Sequence, residues 1–480
     1  MEFIYKTTPM PRRPLTTSKI MLRLLAGLLV VYAYALYQAY TFGSEYLING
    51  ILLLVVAEVV SYACEAVYAL MTKQNILEIF KTSFPYITPL ILVLTVPVNT
   101  SLYVIGVGTF LAVVFGKLVF GGFGQNIFNP AAVGRAIIAT SFAGVVALDA
   151  ITSPTLTTTL ANAGWVSDSA SFYYMLKDFG GLGSVLTGDY FAAMGETNTL
   201  LILVVGVLLS IFDVIDFRIP LTYLGVMFLG ATVIALVSGL GIDYPITFIS
   251  TGGAAFGAVF MLTDPVTNPQ TRPGKIVFSA LAALFTIAIR FLGNLPEGVI
   301  FSILLVNMIS PVINRIFANK QVDSIKRNII ITFATIIVSI LILVIIGTSV
   351  EKGTYKENTF KKFDPNAETG LAADDYSSCK AKVTDLGDGK YHVTVRGFHA
   401  IEDGGPDNEF DIVVKDGKVV SVECTVFSDT KGIGDAAISE DALSELVGVD
   451  LSSEVDTMSG CTYTSRSVVA AIQAALKEAR

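Results

Sequence analysis

Apolar runs of bilayer length recur along the first 349 residues of the chain and then stop. Runs of about 17 or more mostly apolar residues are what a hydrocarbon core demands of a helix. The pattern predicts eleven spans, at 20–40, 48–72, 84–98, 100–117, 135–149, 198–214, 219–239, 245–262, 276–292, 297–315 and 328–349. Two intervening segments break the pattern. One is glycine-rich, residues 120–134, and carries Gln125, Asn126 and Asn129. The other, Thr263–Lys275, holds three prolines among polar residues. Irregular polar backbone at membrane depth is tolerated only when buried in protein or lining a cavity, and the same residue types also suit tight turns in a loop. Glu58 and Glu65 fall inside the second span, where an ionisable residue is a functional candidate by default.

Beyond residue 350 the periodicity changes. Lys390–Gly397 reads as a strand. Phe410–Val414 and Lys418–Phe427 alternate around Asp416-Gly417, a strong hairpin signal. Helices are expected at 436–447 and 466–479, the last with Val468, Val469, Ile472 and Leu476 on one face. The predicted fold class is therefore a polytopic α-helical membrane protein of about eleven transmembrane helices followed by a C-terminal small α+β domain, large enough for one core.

Charge sharpens this division. The chain is 53% hydrophobic with a net charge of −8. Residues 351–480 carry 24 acidic and 14 basic side chains, net −10, which leaves +2 for the first 350. An acidic excess of that kind reads as a solvated surface. Lysine and arginine set the orientation of the spans. The basic N-terminus (Lys6, Arg12, Arg13, Lys19) is placed in the cytoplasm, with Lys73, Lys81, Lys117, Arg135, Arg218, Arg272, Lys275, Arg315, Lys320, Lys326 and Arg327. Connections near 41–47, 98–100, 240–244 and 292–297 carry almost no positive charge. Arg290 is the exception, near an outer end, where it is expected to snorkel. Residues 150–197 and 350–480 are then both extracytoplasmic, and no cleavable signal peptide is expected. Four dispersed cysteines and two histidines, His392 and His399, form no metal-ligand spacing, so no metal or iron–sulfur site is expected in this chain. A Cys379–Cys424 disulfide stays open for an oxidising compartment.

One short pattern occurs twice on that outer side: Asp149-Ala-Ile-Thr152-Ser153-Pro154-Thr155 and Asp456-Thr-Met-Ser459-Gly460-Cys461-Thr462. Each has an aspartate, a hydroxyl residue three later and a threonine six later. Threonine is a poor nucleophile without an activating base, and neither copy has a neighbouring histidine or lysine, which argues against an internal hydrolase. A loop hydroxyl can instead accept a group from a separate modifying enzyme. Thr462 is expected just before a helix starting near Ser465–Arg466, where an attached phosphate would meet free N–H groups at the positive helix end. Gly460 allows close backbone approach. Asp429-Thr430-Lys-Gly432-Ile-Gly434 supplies a second turn to contact a ring or phosphate.

The second copy, Ser459-Gly-Cys-Thr-Tyr-Thr-Ser465 before an amphipathic helix, resembles the Ser-Gly-Ala-Thr motif of FMN-binding domains, with Cys461 in place of alanine. The membrane part resembles the D subunit of the Rnf electron-transport complex and the B subunit of the sodium-pumping NADH:quinone reductase. The matching stretches are Gly121–Gly134, Gly195-Glu-Thr197, Arg218-Ile-Pro220, Thr263–Pro269 and Pro296-Glu-Gly298. The tail resembles the Rnf G subunit with its own anchor, although it is shorter. The resemblance implies a D–G fusion: a ten-span membrane flavoprotein domain at 1–316, a linker and anchor helix at 317–350, and an extracytoplasmic FMN-binding domain at 351–480.

The resemblance also implies cofactors and partners. FMN would be joined by a flavin transferase, through threonine phosphoesters, to Thr462 and Thr155. The first site departs from the family pattern at Ser153-Pro154, where proline fixes the backbone. A non-covalent riboflavin would lie near the two irregular segments, making Gly124, Asn126, Asn129, Asp264 and Thr267 candidates. The implied function is a subunit of a ferredoxin:NAD oxidoreductase in the cell membrane that couples electron transfer to Na⁺ or H⁺ movement. The chain has no dinucleotide fingerprint, so iron–sulfur and NAD-binding partner subunits are implied, with membrane lipid and without nucleic acid. Two alternatives stand beside it: a quinone-reducing subunit of the sodium-pumping type, and a secondary transporter with an extracytoplasmic sensor domain. Helices broken at corresponding places in two halves would favour the transporter.

Overall fold

The computed structural model describes residues 16–142, 156–162, 165–167, 169–190, 192–293, 298–317, 325–349, 379–398, 400, 405–429, 434–453, 455, 458 and 461–479. The membrane part runs α1 (Thr17–Phe42), α2 (Ser44–Met71), α3 (Ile76–Ser83), α4 (Ile87–Leu94), α5 (Leu102–Gly116) and α6 (Pro130–Ser141). Three short helices follow, α7 (Leu156–Asn162), α8 (Ser169–Asp178) and α9 (Gly181–Thr187). Then come α10 (Thr199–Ile211), α11 (Arg218–Ser238), α12 (Asp243–Ser250), α13 (Ala254–Met261), α14 (Arg272–Leu292), α15 (Val299–Phe317) and α16 (Ile325–Ser349).

Seven of the described helices are long and apolar enough to cross a bilayer: α1, α2, α5 with its terminal turn, α11, α14, α15 and α16. The chain is an integral membrane protein. Each of the eleven predicted stretches contains helix, but one expected as a single span is broken and another is joined to an unexpected helix. The stretch 245–262 is the pair α12–α13, bent by 63°, and 84–98 holds only α4, which α3 precedes across a 50° bend at its start. The causes are local. Phe84 takes a left-handed φ of 50° immediately before Pro85, and a residue before proline is barred from the α region. Between α12 and α13, Gly252 and Gly253 hold φ values of 61° and 68°, which only glycine adopts without strain. The breaks fall in the third and eighth predicted stretches, the correspondence between two halves that an inverted repeat produces. α6 and α10 are short, 12 and 13 residues. α13 ends in a π turn over Gly257–Met261, a feature that recurs at functional sites.

Close approach binds α16 to α11. A Cβ on Gly347 of α16 would run into Ile234 of α11, and one on Gly230 of α11 would meet Leu343 at 3.0 Å. Without a hydrophobic drive in lipid, such small-residue contacts are what hold helices together. The opposite face of α16, with Ile330, Phe333, Ile337, Leu341 and Ile345, is exposed.

The tail is a four-stranded antiparallel sheet in the order β1 (Lys382–Gly387), β2 (Lys390–Val395), β3 (Asn408–Lys415), β4 (Lys418–Val426). Both tight turns, Asp388-Gly389 and Asp416-Gly417, have positive φ at both residues, the geometry that matches strand twist. Phe410, Ile412 and Val414 point inward and pack with Val468, Val469, Ile472 and Leu476 of the last helix, α18 (Thr462–Glu478). The helix expected at 436–447 is instead a 3₁₀ turn over Gly434–Ile438 followed by α17 (Glu440–Ser444). Ser439 interrupts it, because its hydroxyl caps α17 by accepting from Ala442 N. The four cysteines are thiols, so Cys379 and Cys424 are not bridged. His392 pairs with Asp411 across β2–β3 at 2.6 Å, and His399 lies outside the described residues.

Candidate functional site

The two irregular segments meet. Together with the α3–α4 break and the start of α1 they line a cavity of about 70 Å³. Its apolar wall includes Met21, Leu24, Phe84, Ile91, Phe123 and Phe260, and its polar groups are Ser83, Thr88, Lys117, Asn126, Asn129, Thr263 and Asp264. A mostly apolar concavity with a few convergent polar groups is the usual form of a small-molecule site. The segment turns sharply because Gly121, Gly122 and Gly124 all take positive φ. Asn129 closes it by capping α6: its Oδ1 accepts from Ala131 N and Ala132 N, and Pro130 occupies the first helical turn. Asn129 Nδ2 also donates to Met261 O at 3.2 Å, which ties this segment to the end of α13.

Asp264 forms the matching wall. Its Oδ1 accepts from Val266 N at 3.1 Å and its Oδ2 from Thr267 Oγ1 at 3.4 Å. Burial pushes its carboxyl above the usual range; hydrogen bonds from Val266, Thr267 and Asn126 oppose that shift. The structure thus brings Asn126, Asn129, Asp264 and Thr267 together. Gly124 contributes its backbone turn, with no atom near enough to meet an added Cβ.

Sequence reasoning used Lys117 only for orientation, yet it is the cationic side chain at this cavity. Lys117 Nζ donates to Glu65 Oε1 at 2.6 Å and to Ser83 O at 2.7 Å, and Ser83 Oγ donates to the same carboxylate at 2.7 Å. Both charged side chains are almost fully buried, 4% and 1% exposed. Lys117 also lies 5.9 Å from the Phe123 ring centroid. The available signal was that Glu65 and Lys117 are opposite charges in otherwise apolar stretches. Glu58, half-buried on α2, has one carboxylate oxygen with no partner among the described residues.

At the other end of the bundle, Arg290 does not snorkel. It is 2% exposed and donates to Phe248 O and Thr251 O, both at 2.7 Å. Its guanidinium lies 4.6 Å from the Trp165 ring centroid and 4.8 Å from that of Phe248. The break after α12 leaves carbonyls without intrahelical donors, and a buried cation at a helix C-terminus satisfies them. Arg135 does the same for α4, donating from Nε to Thr95 O at 2.7 Å. The segment between α6 and α10 packs onto these ends: Tyr244 OH donates to Trp165 O at 2.8 Å, and Gly195 N donates to Leu94 O at 2.6 Å. Asp149, Thr152 and Thr155 lie outside the described residues. The next residue, Leu156, opens α7 and is buried, and a Cβ on Gly252 would touch Thr157.

In the tail, Thr462 is the first residue of α18, so the helix starts three residues earlier than expected. Asp456, Ser459, Gly460, Thr430 and Gly432 lie outside the described residues. Their flanks are tightly held. Asp429 is 6% exposed, and its Oδ2 accepts from Thr464 Oγ1 at 2.7 Å and Asn408 Nδ2 at 3.0 Å. At the far end of the same loop, a Cβ on Gly434 would meet Thr464 Oγ1 at 2.5 Å. Both ends of 429–434 therefore rest on a residue two places from Thr462. Met458 N donates to Ser465 Oγ at 3.1 Å, which ties the Asp456–Thr462 turn to the same helix turn. Phe398 and Tyr463 pack edge to face at 5.4 Å. Burial, with Asp435 and Asp178 nearby, pushes the Cys461 thiol up to about 12, so it is inert.

Comparison with known proteins accounts for both halves. Residues 4–323 match the NQR2, RnfD, RnfE family, and residues 405–477 match the FMN-binding domain. The chain is 32% identical over 327 residues to the D subunit of the Na(+)-translocating ferredoxin:NAD(+) oxidoreductase complex of Acetobacterium woodii, covering 67% of this chain and 95% of that one. It is 30% identical over 326 residues to the D subunit of the proton-translocating ferredoxin:NAD(+) oxidoreductase complex of Clostridium ljungdahlii, covering 65% and 94%. The B subunit of the Na(+)-translocating NADH-quinone reductase of Chromohalobacter salexigens is 30% identical over 253 residues, 49% of this chain and 59% of that protein. With a family match across two thirds of its length and a folded FMN-binding domain behind it, the chain belongs to the NQR2, RnfD, RnfE family.

Proposed function

We propose that the chain is a membrane subunit of a redox enzyme, an ion-translocating ferredoxin:NAD oxidoreductase of the Rnf type, uniting the D and G functions in one polypeptide. The observation that carries this reading is the presence, in one chain, of a membrane domain similar to the Rnf D subunit and an FMN-binding domain. The relatives' names divide between sodium and proton, so the reading is of monovalent cation translocation. The division into 1–316, 317–350 and 351–480, an N-terminus in the cytoplasm and a tail outside belong to the same proposal. Iron–sulfur and NAD-binding partner subunits would supply the ferredoxin and NAD steps, and a flavin transferase would mature the chain.

FMN is proposed on Thr462, and on Thr155, through phosphoesters. The residues around Thr462 fit: it opens a 17-residue helix whose N-cap, Cys461, makes no side-chain cap bond, and Asp429 and Gly434 both rest on Thr464 in its first turn. Riboflavin is proposed at this cavity, with Lys117, Asn126, Asn129 and Asp264 as polar partners. The flavins supply the electron-transfer chemistry. The chain holds and orients them, and its buried aromatic wall excludes water.

Mass spectrometry tests the attachment. The peptide spanning Asp456–Arg466 should carry the added mass of one FMN phosphoester when the chain is made with an active flavin transferase. Thr462→Val should lose it, and Thr462→Val with Thr155→Val should abolish in-gel flavin fluorescence, each single variant keeping about half of the signal if both sites are loaded. An unmodified Thr462 peptide from such a host overturns the proposal. The two broken helix pairs favour a transporter as the second reading; a flavin absorption spectrum in the purified chain excludes it.

A further inference from the structure

Away from the flavin sites, a groove of about 570 Å³ runs between α14 and α16 at their basic ends. Its walls are Ile276 on α14 and Ile329, Phe333 and Ile336 on α16, with Asn328 and Thr332 at the floor. Ile329 and Phe333 are more than half exposed. Arg272 stands at the mouth, exposed, and takes part in no hydrogen bond or ion pair among the described residues. Its neighbours differ: Lys275, less than one turn on, is paired with Asp216 at 3.0 Å, and Arg327 donates to Ile316 O at 3.3 Å. The groove's α16 wall, Ile325 to Ile336, runs about 16 Å along the helix at 1.5 Å per residue. The slot is therefore polar and cationic at one end and apolar along a length that enters the hydrocarbon.

A solvated cation above an ordinary lipid-facing crevice is the bland alternative. It does not explain why an exposed cation without an ion pair sits at the mouth of a slot walled by Ile276, Ile329, Phe333 and Ile336. A helix from a partner subunit would fill the apolar length but leave Arg272 without a counter-charge unless it carried an acid at that depth. A phospholipid satisfies both ends at once, because basic pockets between helices at this interface take anionic headgroups. We propose that this groove binds one anionic glycerophospholipid, its phosphate on Arg272 and an acyl chain along Ile276, Ile329, Phe333 and Ile336. The lipid would wedge the anchor helix of the tail against the membrane domain.

The test uses the full chain, purified in mild detergent from membranes containing both phosphatidylglycerol and phosphatidylethanolamine. Native mass spectrometry should show one retained phosphatidylglycerol per chain. Arg272→Gln should lower its retention about fivefold, with phosphatidylethanolamine unchanged. Ile276→Trp, which fills the slot, should remove it, and Lys73→Gln in another basic connection should not. Equal retention in the wild type and Arg272→Gln overturns the proposal, as does equal retention of the two lipids by the wild type. So does a cysteine at Phe333 that crosslinks to a partner subunit in native membranes.

Discussion

Lys117→Met is expected to destabilise the membrane domain by about 3–5 kcal/mol, the cost of leaving one member of a buried ion pair without its partner. Glu65 is 1% exposed and receives two donors at one oxygen, Lys117 Nζ at 2.6 Å and Ser83 Oγ at 2.7 Å. Its second oxygen is buried with no partner among the described residues. Removing the ammonium leaves a carboxylate that must either stay charged in a site without water or take up a proton. Lys117→Arg is no remedy, since a planar fork does not fit where a compact ammonium bridges a carboxylate and the Ser83 carbonyl. Glu65→Gln with Lys117→Met should recover much of the loss, because the two residues act as one unit and their effects do not add. Thermal melting of the purified chain measures this. A midpoint unchanged in Lys117→Met would show that the pair is hydrated and would sink the argument. The cavity separates stability from binding: Lys117 lines it, so the double variant should regain the melting midpoint without regaining riboflavin.

That pair also shows where sequence reasoning ends. Hydropathy located the helices because lipid imposes one simple rule on composition. It missed the eight-residue α3 and failed at the break inside 245–262, because a window average does not register Gly252-Gly253, where two residues redirect the chain. Strand β1 escaped notice because its side chains are largely exposed and charged, although Asp388-Gly389 carried the same turn signal that marked the β3–β4 hairpin. Contacts across long separations were out of reach. Glu65 finds Lys117 at 52 residues, and Arg290 finds the Phe248 carbonyl at 42. A snorkelling arginine and a helix-capping one are identical in sequence. They differ only in whether a broken helix presents free carbonyls nearby. The irregular segments were legible as polar backbone, and the cavity they line required both to be seen at once.

Asp429→Ala is expected to loosen the start of α18, the part of the tail on which the proposed Thr462 attachment depends. The carboxylate is 6% exposed and joins three elements: Asn408 at the start of β3, Asp429 itself after β4, and Thr464 in the first turn of α18. Asn408 is committed as well, its Oδ1 accepting from Ser428 N at 2.8 Å and its Nδ2 reaching Ser467 Oγ at 3.3 Å. Removing the carboxylate strands two buried donors, and hydrogen bonds to a charged group contribute about 1.5–3 kcal/mol each. A loss of about 3 kcal/mol should raise amide exchange across Thr462–Ser467 roughly 100-fold, since each 1.4 kcal/mol is a factor of ten. Thr464→Val removes one of the bonds and should raise it only about tenfold. The measurement is hydrogen exchange on the full chain, made in a host without flavin transferase so that cofactor loss does not enter. Residues Val468–Leu476, held by the apolar core rather than by Asp429, should change less than the first turn. Equal protection of the first turn in Asp429→Ala and wild type would mean that packing of Phe398 on Tyr463, and not this carboxylate, sets the attitude of the helix end.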